Sequence, residues 1–240
     1  MRLALLLAAI VFLITLLVRL PARALLALLP ADVACAGPSG TVWLGSCEEL
    51  RVGAMPVAGL SWTLHPAALL RLRLAADLSS QDPAAHGQAQ LEFAPNGDLA
   101  ISALAASVAV PGRSGLAAGI GTASLQLSID SARIQAGHLV ALVGTIDLLQ
   151  LHLGNPPAEL GDFELKFAPS KSATMAGQLR DLNGPLSVSG ILQLSPAGAY
   201  QLEGSVAPKP GASEDVTRTL QILGPADAEG RRTISLAGSL

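Results

Sequence analysis

The sequence predicts an all-β protein, mainly antiparallel and arranged as a curled sheet, groove or sandwich, with one N-terminal transmembrane helix and a short C-terminal helix. Three observations carry this reading. An unbroken apolar run opens the chain, an alternation of apolar and polar residues with period two takes over after Pro30, and one late stretch returns to helical spacing. The division that follows is residues 1–30 as tail, anchor and juxtamembrane segment, and residues 31–240 as a β-rich domain outside the cytoplasm.

The anchor runs from Leu3 to Val18, where every residue is apolar except Thr15, and Arg2 and Arg19 bracket it. At 1.5 Å per residue the run spans about 24 Å, short of the roughly 30 Å hydrocarbon core of a bilayer. Leu20 and the Ala/Leu-rich stretch to Leu29 extend it, with Arg19 and Arg23 snorkelling to the headgroups. The competing reading is a cleaved signal peptide, because Ala22-Arg23-Ala24 has the A-x-A form. Arg23 and Pro21 crowd that site and apolar sequence resumes beyond it, which favours the anchor. A lipoprotein is disfavoured by Asp32, which sits badly in a lipobox ending at Cys35. Both surviving readings export the rest of the chain.

Orientation is nearly tied by charge, with Arg2 and the α-amino group on one side and Arg19 and Arg23 on the other. Cys35 and Cys47 break the tie. They are the only two cysteines, and in an oxidising compartment a disulfide closing so short a loop would contribute roughly 2–3 kcal/mol. The alternative is two buried thiols acting as small hydrophobes. A metal site would need further ligands, and the nearest histidine is His65.

Beyond Pro30 the strands announce themselves by alternation. Trp62 and Leu64 alternate with Ser61, Thr63 and His65; Leu72 and Leu74 with Arg71 and Arg73; Leu125, Leu127 and Ile129 with Gln126, Ser128 and Asp130. Phe163, Leu165 and Phe167 stand opposite Asp162, Glu164 and Lys166, and Tyr200 with Leu202 and Ile234 with Leu236 repeat the pattern. Turn residues separate the runs at Pro95-Asn96-Gly97-Asp98, Asn183-Gly184-Pro185 and Ser195-Pro196-Ala197-Gly198, so tightly joined neighbours should be antiparallel. Pro66 to Leu74 has a helical-turn start. Val216, Leu220 and Leu223 lie at helical spacing, with Ser213 or Asp215 as cap, and predict the short C-terminal helix.

Composition bounds the function. Aromatic residues are 3% of the chain, so the core is aliphatic, and 15 basic against 18 acidic residues form no stripe that would track a nucleic-acid backbone. His65, His86, His138 and His152 are isolated from one another in sequence, Gly112-Arg113-Ser114-Gly115 lacks the spacing of a nucleophile elbow, and Gly119-Ile120-Gly121 lacks a phosphate-loop lysine. Asp77, Glu92 and Asp162 occur singly on presumed polar faces. No enzyme activity, catalytic residue, cofactor or metal is expected, and the chain is read as a binding protein.

Three blocks resemble one family, the type II secretion system protein N. The first is Gly40-Thr41-Val42-Trp43-Leu44-Gly45, and the second is Leu60-Ser61-Trp62-Thr63-Leu64-His65-Pro66. The third runs from Gly184 through Tyr200-Gln201-Leu202-Glu203-Gly204 and Leu223-Gly224-Pro225-Ala226-Asp227 to Gly238-Ser239-Leu240. The resemblance implies an inner-membrane accessory with one membrane helix and a periplasmic domain. Its implied partners are other secretion components, either inner-membrane assembly proteins or the outer-membrane secretin. Trp43 and Trp62 are read as core aromatics, and Gly40 and Gly45 as turn or bulge residues. A rival reading is a membrane-anchored lipid-binding or lipid-transfer groove, since one-sided strands would also suit acyl chains. An outer-membrane barrel is disfavoured by the lack of aromatic girdles.

Overall fold

The computed structural model describes residues 12, 15, 16, 18–26, 33–52, 55–110, 122–153, 158–170 and 172–239. Leu3 and most of the predicted anchor lie outside them, as do residues 112–115 and 119–121. Among the described residues no helix is long and apolar enough to cross a membrane.

The chain divides into two compact units, residues 1–95 and 96–240. The first carries a short helix, α1 (Ala22–Leu26), and strands β1 (Val33–Gly40), β2 (Leu44–Val52), β3 (Met55–His65), β4 (Leu74–Gln81) and β5 (Ala85–Phe93). They pair in chain order, each antiparallel to the next. The second carries β6 (Leu99–Val110), β7 (Ala123–Gln135), β8 (His138–Leu153), β9 (Ala158–Phe167), β10 (Met175–Asn183), β11 (Leu186–Leu194), β12 (Ala199–Pro208), helix α2 (Glu214–Leu220) and β13 (Arg232–Ser239). These strands also pair in chain order and antiparallel. The all-β, antiparallel expectation holds. The sandwich alternative does not: among the described residues each unit is a single-layer meander with no second sheet laid over it.

The apolar faces are covered by other means. In the second unit α2 covers one end of the face, burying Val216 and Leu220 against Phe163, Leu186, Val188 and Val206, while Phe167, Met175 and Leu194 form a separate cluster. The predicted C-terminal helix therefore forms, and its local chemistry explains its start. Ser213 Oγ accepts the Val216 amide at 3.4 Å, and Glu214 and Asp215 place negative charge in the first turn. Leu223 falls in a following 3-10 turn and is 45% exposed, so it contributes little to the seat. In the first unit Ala22, Cys47, Trp62, Leu64 and Ala76 form the core.

Alternation places the faces well where strands are regular. Trp62 and Leu64 are buried while Thr63 and His65 are exposed, and Phe163 and Phe167 are buried while Lys166 is exposed. The Arg71–Leu74 alternation is a correction. Pro66–Arg71 forms a 3-10 helix and Leu72 caps it in the left-handed region at φ 54°, so the strand begins only at Leu74. Proline at the first helical position suits the turn, and none of the residues of this 3-10 helix is buried. Strand β8 carries bulges between Leu148 and Leu151, and Gln150, at φ 53°, donates its amide to Asp162 Oδ1 at 2.8 Å.

Candidate interaction surfaces

The first block forms the turn between β1 and β2. Thr41 N donates to Leu44 O at 2.8 Å and Leu44 N to Thr41 Oγ1 at 3.1 Å, which closes the turn on itself. Gly40 sits at φ 83°, and a Cβ there would collide with the Leu44 carbonyl, so only glycine fits. Gly45 lies opposite Trp62 in the β2–β3 register, and a Cβ on it would enter the indole ring. Trp62 is buried against this flat floor, and its Nε1 donates to Val42 O at 3.0 Å. Trp43 packs against the same core and its carbonyl accepts the Leu64 amide at 2.7 Å. The first two blocks are thus one structural device.

The segment that follows the apolar run is tied to this turn. Val42 N donates to Leu20 O at 2.9 Å, Pro21 bridges Thr41, and Ala22 is buried beneath. Cys35 and Cys47 are joined by a disulfide, with Cα atoms 5.9 Å apart, which fastens β1 to β2.

At the other end of the chain the third block builds the β12–β13 pair. Tyr200 lies across Gly238, where a Cβ would come within 2.6 Å of the phenol oxygen. Gly204 faces Gly190 in register, and a Cβ on it would approach Ser189 O at 2.6 Å, so this pair lets β11 and β12 come close. Gly224 ends the 3-10 turn after α2 at φ 100°. Among the described residues strand β13 pairs with β12 alone. Its residues from Ser235 to Ser239 are exposed, and Leu236, opposite Leu202, is 54% exposed.

A family model, type II secretion system (T2SS), protein N, matches residues 31–235. The chain belongs to the type II secretion system protein N family. It is similar to type II secretion system protein N of Aeromonas hydrophila, with 28% identity over 238 residues, covering 94% of this chain and 93% of that protein. No solved structure matches. Membership makes the chain a type II secretion component, and the three blocks that carried the resemblance have structural roles here: a turn, a tryptophan seat and a terminal strand pair.

The polar face of the second unit holds a charged row that no sequence pattern announces. Gln126, Asp147, Glu164 and Arg180 are consecutive cross-strand partners on β7 to β10. Arg180 Nε holds Glu164 Oε1 at 2.6 Å, while Asp147 Oδ1 is buried without a hydrogen-bond partner among the described residues. Burial, and then the neighbouring Glu164 carboxylate, push the Asp147 carboxyl above the usual carboxylate range. Ionised Asp147 therefore works against the fold, a penalty absent below its unfolded value of about 3.9 and fully present above its raised folded value. Asp147→Asn is expected to raise the urea midpoint at pH 7, and the gain should vanish near pH 3.5; an unchanged midpoint at pH 7 would contradict this assignment.

Asp181 is the opposite case. Burial opposes its ionisation, but the Lys209 ammonium at 2.7 Å and the Val188 amide at 2.8 Å hold its carboxyl below the usual range. The histidines are placed apart. His65 Nε2 meets Asp77 Oδ2 at 2.8 Å on an exposed face, His86 and His138 are exposed, and His152 Nδ1 lies 2.7 Å from Gln150 O. Asp77 and Glu92 each have a partner the sequence did not select, His65 and Arg73. Among the described residues no three His, Cys, Asp or Glu side chains are grouped to hold a metal ion.

Proposed function

We propose that this chain is a non-catalytic inner-membrane accessory of type II secretion, scaffolding other components through a periplasmic β domain, and that a partner strand adds to the open edge of β13. The observation that carries this reading is the contrast between the two terminal strands. Proteins blunt strand edges with proline, bulges or covering elements. Strand β1 has Pro38, a left-handed Gly37, a disulfide to β2 and α1 packed nearby. Strand β13 has no proline or lysine, and its exposed half carries Leu236. Backbone hydrogen bonds along such an edge supply affinity, and alternate side chains supply selectivity.

The membrane and periplasmic parts of the reading rest on other features. The apolar run from Leu3 to Val18 has the composition of an anchor, and Phe12, Leu16 and Val18 are 67%, 54% and 58% exposed, a face suited to lipid. A structural disulfide belongs in an oxidising compartment. The partner is another secretion component, an inner-membrane assembly protein or the outer-membrane secretin. Photo-crosslinking groups at Ser235 and Ala237 are expected to capture such a component in secreting cells. Crosslinks confined to the N-terminal apolar segment would contradict the proposal.

A second reading is lipid binding on the aliphatic face. Leu236 lies beside Leu202 and Leu192 on one face, and α2 covers only the end at Val188 and Val206. Lipid retained by the chain after gentle extraction would favour it over strand addition.

A further inference from the structure

Four leucines at one end of the first unit are exposed where an ordinary core would bury them. Leu70 is 89% exposed, Leu72 75%, Leu44 66% and Leu69 43%. The topology gathers them. Leu44 opens β2 opposite Thr63 near the end of β3, Leu64 N is bonded to Trp43 O, and the chain passes from His65 straight into the 3-10 helix that carries Leu69 and Leu70. Leu72 holds a left-handed conformation that favours glycine, yet keeps a large apolar side chain there.

The same end receives the chain from the apolar run. Leu20, two residues after Val18, accepts the Val42 amide at 2.9 Å, and Pro21 bridges Thr41. A bilayer that holds the run therefore lies against this rim, because two residues of extended chain reach only about 7 Å. Basic side chains line the junction: Arg19, Arg23, Arg71 and Arg73 are exposed, and the neighbouring Glu92 is engaged by Arg73. Isolated exposed leucines are ordinary, but a cluster edged by arginines beside a membrane entry point is the composition of an interfacial contact.

We propose that this rim, formed by Leu44, Leu69, Leu70 and Leu72 with Arg71 and Arg73, is a membrane seat that dips into the headgroup region of an anionic bilayer. The inference rests on the anchor reading above. It fixes the first unit on the membrane surface instead of leaving it to swing on a tether.

The test uses the full chain reconstituted in vesicles of phosphatidylethanolamine and phosphatidylglycerol, with Leu70→Cys carrying an environment-sensitive fluorophore. Pro83→Cys, in the exposed turn at the other end of β4, is the control. The label at 70 is expected to shift to the blue and to be quenched by spin-labelled lipids at about 5–10 Å below the surface. The label at 83 should report water. Adding L69S and L72S should return the label at 70 to water while the chain stays in the membrane, and vesicles of phosphatidylcholine alone should weaken the shift. A label at 70 that reports water while alkaline carbonate leaves the chain in the vesicles overturns the seat and spares the anchor. Release by carbonate overturns both. Protection that appears only when another secretion protein is added also overturns the seat, by assigning the rim to a protein partner.

Discussion

Trp62→Ala is expected to destabilise the first unit by about 3–5 kcal/mol, the usual cost of removing a buried aromatic side chain. The indole is 6% exposed, covers Gly45, contacts the Cys47, Leu64 and Ala76 core, and satisfies the Val42 carbonyl. Its loss opens a cavity and also loosens the turn that receives Leu20. Trp62→Phe keeps most of the packing and forfeits the hydrogen bond, so it should cost distinctly less. Urea denaturation followed by far-UV circular dichroism checks both variants. A loss below about 1 kcal/mol for the alanine variant would mean that the tryptophan seat is not the core of this unit.

Cys35→Ser with Cys47→Ser is expected to cost about 2–3 kcal/mol, because the bridge closes a loop of 12 residues and its main effect is on the unfolded chain. Dithiothreitol on the native chain should produce the same shift in midpoint as the double substitution. The consequence for function is specific. Without the bridge, β1 keeps its proline and its packing by α1 but loses the covalent link that pins it to β2, so this edge should open more readily and the variant should aggregate sooner than the Trp62 variant at equal stability. An equal tendency to aggregate would show that the disulfide does not guard this edge.

Much of the fold is legible because most strands keep one face to the core. Where β3 and β9 run regularly, Trp62, Leu64, Phe163 and Phe167 can be assigned by counting in twos. The C-terminal helix is legible from Ser213, Val216 and Leu220 because cap and apolar spacing agree. Counting fails where the backbone leaves the strand period. Arg71-Leu72-Arg73 alternates in sequence, but Leu72 adopts a helix-capping conformation, and in β8 the bulge at Gln150 resets the faces midway. The hairpin turn at Ala136-Gly137, with φ values of 49° and 80°, was signalled only by its glycine.

The polar row from Asp147 through Glu164 to Arg180 was not legible, because it depends on the pairing register of β8, β9 and β10. No local pattern encodes which residues of three strands stand side by side. The membrane-seat leucines were visible as residues, but their meaning comes from Leu20 being bonded to Val42, a contact between segments far apart in type. The family blocks were legible as resemblance, and the structure adds the reason for them: Gly45 must lack a side chain for Trp62 to lie down, and Gly238 for Tyr200.

Hydrogen exchange of the β13 amides tests the scaffold account most directly. In the isolated full chain, the amides of Thr233 to Ser239 that do not bond to β12 should exchange rapidly, and assembly with the other secretion components should protect them many-fold while the exposed turn near Pro83 is unchanged. Equal, rapid exchange of β13 in the assembled machine, with new protection found elsewhere on the chain, would contradict strand addition at this edge.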